Sequence, residues 1–420
     1  MYDHYIVKNF RFLLITLPYY REEFLYSLIG VFLFMQLTAD EEKSLNGDQG
    51  ETVSSAYRIL LAIGEATDAE KLVPIKWVHI SGVNYNTIGD SGVQFLEKFS
   101  SNAKVAVKTT INPMGFDRNK TNSLSENFVK KQMSIVESFE AIGTIPSFTC
   151  IPYEIFDIPE KGSMVSFAES NAAVFSNSIL GLLTNKESSL SALASSVTGK
   201  APLSDLRIEQ FRHPKVVIKP NFKLETELDY GLLGYFAGKV VKDSCVAFES
   251  SAVKPEAIKM KSISSAIGTS GSCGMFTLQE KAEEVISCGK KEYNIIKDEL
   301  NTCEDGDLIT LGSPQLGLNE LNLLDKLLEG KKFTKRCLIY CARAIHRQAT
   351  QIGLTNRIER AGGEFICDSC TCLTPLVTRD EVDSVITNSI KGAYYLNHSN
   401  RLGVALKDLT TIVKEYTNQK

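Results

Sequence analysis

The strongest constraint on the fold is an alternation: short apolar, β-rich runs take turns with amphipathic helical stretches along most of the chain, and no segment repeats at a fixed period. Glu51 to Ala66 carries Val53, Ala56, Ile59, Leu60 and Ile63 at helical spacing and predicts a long helix. Thr38-Ala39-Asp40-Glu41 has the spacing of a capping box before a helix. Val73 to Ile80 and Ala103 to Thr109 read as strands. They run into the polar turns Ser81-Gly82-Val83-Asn84 and Ile111-Asn112-Pro113-Met114-Gly115. Ala168 to Leu183 is helix-like, with Glu169, Ser170 and Asn171 at its start. Lys215 to Leu228 includes an extended stretch, and Asp229-Tyr230-Gly231 opens a helix. Leu308 to Leu311, Leu338 to Cys341 and Phe365 to Cys367 read as later strands. The pattern predicts the α/β class, and 420 residues exceed one hydrophobic core, so two or three packed α/β units are expected. In open α/β sheets, ligands sit at loops on strand ends.

The N-terminus reads differently. Leu25 to Met35 is an apolar run of 11 residues, short of the roughly 20 that span a bilayer. Arg21, Glu22 and Glu23 precede it, and no small-residue cleavage site follows, so it lacks the form of a signal peptide. Residues 1–34 are therefore expected to be an extension, with the catalytic region running from Met35 to the C-terminus, and no membrane association is expected. Lys and Arg total 46 against 50 acids, interspersed, which gives none of the basic excess that nucleic-acid binding needs.

Ten cysteines are too sparse for a disulfide scaffold in a chain this long, and point to reduced thiols in a cytoplasm. Cys367, Cys370 and Cys372 fall together in Cys-Asp-Ser-Cys-Thr-Cys. Such a run serves a redox dithiol, a zinc site or an iron–sulfur cluster, or is simply buried. Cys150 lies just before a Pro152 turn. Gly268-Thr269-Ser270-Gly271-Ser272-Cys273-Gly274 lacks the phosphate-loop spacing and reads as a tight turn. His79, at the end of an apolar strand, reads as a satisfied, partly buried histidine. Lys391 is a candidate anion partner.

Several segments, in this order, resemble the aconitase X family. They are Leu37-Thr38-Ala39-Asp40-Glu41, His79-Ile80-Ser81-Gly82-Val83-Asn84-Tyr85, Thr110-Ile111-Asn112-Pro113-Met114-Gly115-Phe116-Asp117 and Thr149-Cys150-Ile151-Pro152-Tyr153. Ala168-Glu169-Ser170-Asn171-Ala172, Asn177-Ser178-Ile179-Leu180-Gly181, Leu228-Asp229-Tyr230-Gly231-Leu232-Leu233-Gly234-Tyr235, Asp368-Ser369-Cys370 and Lys391-Gly392-Ala393-Tyr394-Tyr395 follow. The resemblance implies an aconitase-like catalytic region without the family's small swivelling domain. That is the split, archaeal-type form, whose partner is a separate small subunit in a heterodimer.

The resemblance further implies an iron–sulfur hydro-lyase acting on a small anionic hydroxy acid. Its expected reaction is dehydration of (R)-5-phosphomevalonate to trans-anhydromevalonate 5-phosphate, on a modified mevalonate route to isoprenoids. A [4Fe–4S] cluster would be held at the positions of Cys150, Ser313 and Cys370. Substrate would meet Gly82, Val83, Asn84, Asn112, Pro113, Glu169, Ser170 and Lys391, with Glu169, Ser170 and Lys391 carrying catalysis. Four positions depart from the family pattern. Ser313, in Gly312-Ser313-Pro314-Gln315, stands where the family has cysteine in Gly-Cys-Pro-His. Leu183 and Lys186 replace arginines, and Asn84 replaces a serine. The serine leaves a [4Fe–4S] cluster, a different cluster, a single iron, no metal, or recruitment of Cys367 or Cys372 as alternatives. It also leaves a paralogue acting on another hydroxy acid, or an inactive binding paralogue, as alternatives to the dehydratase.

Overall fold

The computed structural model describes residues 35–121 and 124–419. The expected 1–34 extension lies outside the described residues. Helices and parallel strands alternate, as the α/β reading requires.

Helix α1 (Ala39–Leu45) begins at Thr38 with both arms of the capping box formed. Helix α2 (Glu51–Ala66) buries Ala56, Tyr57 and Leu60. The predicted strand over residues 73–80 is two strands. β1 (Leu72–Pro74) pairs antiparallel with β5 (Lys200–Pro202), and β2 (Trp77–Ile80) enters a different sheet. The break follows Pro74, after which the Ile75 amide bonds to Gly199 and the Lys76 amide to Met164. Helix α3 (Tyr85–Ser100) leads to β3 (Lys108–Ile111), which starts later than the expected strand at Ala103. Val105 and Ala106 give their amides to the carbonyls of Ile142 and Ser196 at helix ends. Their apolar side chains follow a strand pattern, but they join no ladder.

Helix α4 (Glu126–Ala141) precedes β4 (Ser166–Phe167) and helix α5 (Ser170–Phe175). The predicted helix to Leu183 instead widens into one π turn (Ser176–Leu180) and stops at Gly181, where φ is 69°. Helix α6 (Ser189–Thr198) completes this region, whose parallel sheet has the order β3-β2-β4. Trp77 is fully buried there, edge-on to Phe167 at 5.0 Å.

A second parallel sheet, β8-β7-β6-β9, comprises β6 (Val216–Pro220), β7 (Val246–Phe248), β8 (Phe276–Leu278) and β9 (Glu284–Cys288). Between its strands run α7 (Glu227–Val241) and α8 (Ala257–Ser270), followed by α9 (Lys290–Leu300). The glycine-rich stretch from Gly268 is the end of α8, capped by Gly271. Lys186 donates to the carbonyls of Gly268 and Gly271 at 3.3 and 2.8 Å, so these groups face a cation and form no anion cradle.

The third parallel sheet has the order β13-β12-β10-β14-β15. It contains β10 (Leu308–Leu311), helix α10 (Leu318–Leu327), β11 (Lys331–Phe333), β12 (Cys337–Cys341) and the helices α11 (Arg343–Gln351) and α12 (Leu354–Arg360). The remainder is β13 (Gly363–Cys367), β14 (Ser384–Thr387), α13 (Ile390–His398), β15 (Gly403–Leu406), α14 (Leu409–Glu415) and β16 (Thr417–Gln419). Of these strands, β11 and β16 form a separate antiparallel ribbon.

Helices α7 and α8 cross closely because α7 presents Gly234 and Gly238 to α8. A Cβ on Gly234 would lie 2.9 Å from the Ile263 carbonyl oxygen and 3.0 Å from its Cα. Backbone cannot yield as a side chain can. Helix propensity alone would make Gly234→Ala stabilising by about 1 kcal/mol. The clash should reverse that sign, with a net loss of about 1–2 kcal/mol in urea unfolding. A gain in stability would show that the two helices separate freely.

Candidate functional site

The first and third sheets point the C-terminal ends of their strands at one cavity of about 640 Å³. From the first region, its wall takes Ser81 to Asn84 after β2, Asn112 and Pro113 after β3, Cys150, and Glu169 after β4. From the third it takes Ser313 and Pro314 after β10, Cys370 and Cys372 after β13, and Lys391 and Tyr395 from α13. Of the residues expected at the site, Gly82, Val83, Asn84, Asn112, Pro113, Cys150, Glu169, Ser313, Cys370 and Lys391 all line this cavity. Ser170 stands just behind the wall, its hydroxyl 3.4 Å from Lys391 Nζ.

Each position has a local cause. Gly82 sits at φ 76°, and a Cβ there would lie 2.8 Å from Ser189 Oγ, so the turn after β2 requires glycine. Asn84 is the N-cap of α3: its Oδ1 accepts from the Asn86 amide at 2.8 Å. Its Nδ2 donates to the Leu373 carbonyl at 3.0 Å and ties this turn to the Cys370 loop.

Glu169 and Lys391, far apart in sequence, form a buried ion pair. Burial raises the Glu169 carboxyl, but the Lys391 charge and hydrogen bonds from Lys391 and Asn112 outweigh it and hold the group below its usual range. Burial likewise opposes the Lys391 charge, and Glu169 outweighs it, so the ammonium stays protonated. Both groups therefore keep their charge at neutral pH.

Behind the pair runs a directed relay. Asn112 Nδ2 donates to Glu169 Oε2 at 2.8 Å, which turns Asn112 Oδ1 toward His79 Nε2, also at 2.8 Å. His79 must then carry its proton on Nε2 and accept at Nδ1 from the Thr110 hydroxyl, 2.8 Å away. Thr110 in turn accepts from Trp77 Nε1–H at 2.9 Å. His79 is fully buried, more so than the sequence suggests, and burial pulls its pKa down to about 4.

The sulfur groups line the same cavity as this pair. Cys150 Sγ accepts the Gln315 amide at 3.1 Å, and burial pushes its pKa well up. The Cys372 thiol hydrogen-bonds Cys370 and, with Ser313 and Lys391, lowers the Cys370 pKa to about 7 against the pull of burial. Cys372 Sγ lies 3.4 Å from Ser313 Oγ. Gln315, in the Ser313 loop, donates through Nε2 to the carbonyls of Phe148 and Ser369, at 3.1 and 2.9 Å. It thereby fixes the two sulfur-bearing loops and the Ser313 loop together. Among the described residues no three His, Cys, Asp or Glu side chains converge as one metal ion requires. Cluster ligands each bind a different iron and can stand farther apart. Two thiols and an adjoining third sulfur, in one cavity with an N–H···S bond, are a donor set that suits a cluster.

Cys367 does not reach the cavity: it faces the core beside Cys341. Leu183 is absent from the cavity wall, and Lys186 is engaged with α8. The relay through Trp77 and Thr110, the Ser81–Ser189 contact at 2.9 Å and the Gln315 junction were not visible in the sequence.

Fold and site together define a multi-domain α/β protein with a thiol-walled cavity set between two parallel sheets. Family models for the aconitase X first, second and third domains match residues 34–210, 214–305 and 306–418. The chain belongs to the aconitase X family. It is 35% identical over 403 residues to the phosphomevalonate dehydratase large subunit of Methanocaldococcus jannaschii, covering 90% of this chain and 100% of that one. The cis-3-hydroxy-L-proline dehydratase of Hypocrea jecorina is 30% identical, over 86% of this chain and 65% of that protein. The crystal structure of Thermococcus kodakaraensis aconitase X in its holo-form superposes with a TM-score of 0.84 at 32% identity, over 91% of this chain and 100% of that one.

His79 supplies a pH test. Its folded pKa is depressed from 6.5 to about 4, so between those values the unfolded chain takes up a proton that the folded chain refuses. Stability should therefore fall as pH drops through that window, by about 3 kcal/mol in all. Urea unfolding of wild type and His79→Gln at pH 7 and pH 4.5 checks it. The variant should lose much less stability over that interval, and an equal loss in both would assign the effect elsewhere.

Proposed function

We propose that the chain is the large, cluster-bearing subunit of a hydro-lyase that dehydrates (R)-5-phosphomevalonate to trans-anhydromevalonate 5-phosphate, on a modified mevalonate route to isoprenoids. The observation that carries this reading is similarity along the full length of the large subunit of phosphomevalonate dehydratase from M. jannaschii. The cavity supports it, with thiols and the buried Lys391–Glu169 pair in one lining. Cys150 and Cys370 would hold an iron–sulfur cluster, which would supply a Lewis acid for the departing hydroxyl.

The chain's own residues do the rest. About 640 Å³ suits a small phosphorylated hydroxy acid. Lys391 offers a fixed positive charge to a carboxylate or phosphate. The Gly82–Val83–Asn84 turn adds backbone N–H groups at the positive end of α3. Dehydration also removes a proton from the carbon beside the one that loses hydroxide. Glu169, kept ionised by Lys391 and aligned by Asn112, is the group to orient the hydroxyl or accept that proton. Ser170 and Asn112 hold the pair in place, and Pro113 shapes the wall.

The M. jannaschii relative is a large subunit, which supports a separate small subunit that closes the site in a heterodimer. All ten cysteines are free thiols, which supports a reducing cytoplasm. Among the described residues no helix is long and apolar enough to cross a membrane.

The test is anaerobic co-purification with the small subunit, then iron and sulfide quantitation and an assay for 5-phosphomevalonate dehydration. Turnover with near-stoichiometric iron is expected. Glu169→Gln should lower kcat by roughly 10²–10⁴-fold and leave the iron content unchanged. Iron-loaded complex without turnover on this substrate would overturn the substrate assignment.

A further inference from the structure

The family's ligand pattern leaves this chain one sulfur short, because Ser313 occupies the third position. A serine hydroxyl is a hard donor with little affinity for iron in a cluster, where thiolates are preferred. The structure puts a thiol beside that serine. Cys372 Sγ is 3.4 Å from Ser313 Oγ, and Cys372 lines the same cavity as Cys150 and Cys370. Both partners of this contact are held. The Ser389 hydroxyl donates to the Ser313 carbonyl, and the Leu373 amide closes a turn onto the Cys370 carbonyl at 3.0 Å. The Cys372 sulfur thus stands next to the position where the family carries its third sulfur.

The neighbouring cysteines do not compete. Cys367 lies opposite Cys341 in the β12–β13 ladder and faces the core between that sheet and its helices. Its amide is bound to Asp117 at 2.9 Å, which fixes the strand end. Cys337 and Cys341 are buried on that same face. A second observation points to an unfilled acceptor nearby. The Tyr340 hydroxyl is fully buried near Cys370 and Cys372 and has no hydrogen-bond partner among the described residues. Hydrogen bonds to cluster sulfurs are a normal part of such sites, and this donor is available for one.

We propose that Cys372, not Ser313, is the third protein ligand of the iron–sulfur cluster, completing a set with Cys150 and Cys370. The thiol proton leaves to solvent as the Sγ–iron bond forms. The inference rests on the cluster reading above and adds a ligand that compensates this chain's own substitution.

The test uses the full chain, reconstituted anaerobically with ferrous iron and sulfide. Its readouts are bound iron, acid-labile sulfide and the visible charge-transfer spectrum. Wild type should load, and Cys372→Ala should lose iron, sulfide and the visible band while keeping its thermal unfolding profile. Cys367→Ala should load as wild type does. Adding Ser313→Cys to Cys372→Ala should restore loading by returning a sulfur to the family position. If Cys372→Ala does not fold, Cys372→Ser, of nearly the same volume, is read instead, and its spectrum should be shifted or lost. Wild-type loading in the Cys372 variants would overturn the proposal. Loading by Ser313→Cys but not by wild type would also overturn it and leave the cluster reading standing. No loading by either would overturn both.

Discussion

The architecture depends on one buried cation. Lys261, on α8 of the middle region, is almost wholly enclosed and donates to Glu154 of the first region at 3.0 Å. It also donates to Glu320 and to the Gln315 carbonyl of the third region, at 2.5 and 2.8 Å. An ammonium taken out of water costs several kcal/mol unless its donors are satisfied. Here all three N–H groups find oxygen, one from each of three separate elements. The geometry that satisfies Lys261 is therefore also the geometry that docks the three regions. Gln315 passes this constraint on. Its carbonyl is held by Lys261 while its amide and side chain hold the loops of Cys150, Phe148 and Ser369.

Charge pairs serve a second junction, between the loop after β3 and the end of β13. Arg343 bridges Asp117 and Asp368, and the Met114 amide bonds to the Asp368 carbonyl at 2.9 Å. Asp117 also accepts the Cys367 amide, so the strand end that leads to Cys370 is anchored to the first region. These groups are turned away from the cavity, whereas Glu169 and Lys391 have the same kind of pairing but line it. An identical interaction thus has two uses, and position relative to the cavity separates them. The first sets distances between loops, and the second keeps a carboxylate ionised on the cavity lining.

Much of this was legible in the sequence, and what was not has a common cause. Element type followed from periodicity at α2, β10, β12 and β13, because each buries its apolar side chains against neighbours in the usual way. Val105 and Ala106 misled because their apolar residues read as strand while their amides serve helix ends. The site residues were legible as an ordered set of motifs, since turns at strand ends require particular residues, as Gly82 does. Their partners were not. His79 meets Thr110 only because β2 and β3 are parallel and in that register. Glu169 meets Lys391 only because two sheets face each other. Neither strand order nor sheet docking is written in local sequence. The nearness of Cys372 to Ser313 has the same origin, since it depends on the docking of β13 beside β12 and β10.

The division of the cavity wall has an energetic consequence. Cys150 belongs to the first region, and Cys370 and Cys372 belong to the third. No residue between 214 and 305 lines the wall, and that region acts from behind, where a Cβ on Gly268 of α8 would come 3.1 Å from the Ser170 side chain. A group bound by thiols from two regions gains affinity from their docking and returns the same free energy to it, because binding to the docked state alone stabilises that state. The buried ion pairs fix these loops relative to one another. The Lys391–Glu169 pair on the same cavity is aligned by its own partners, Asn112 and Ser170.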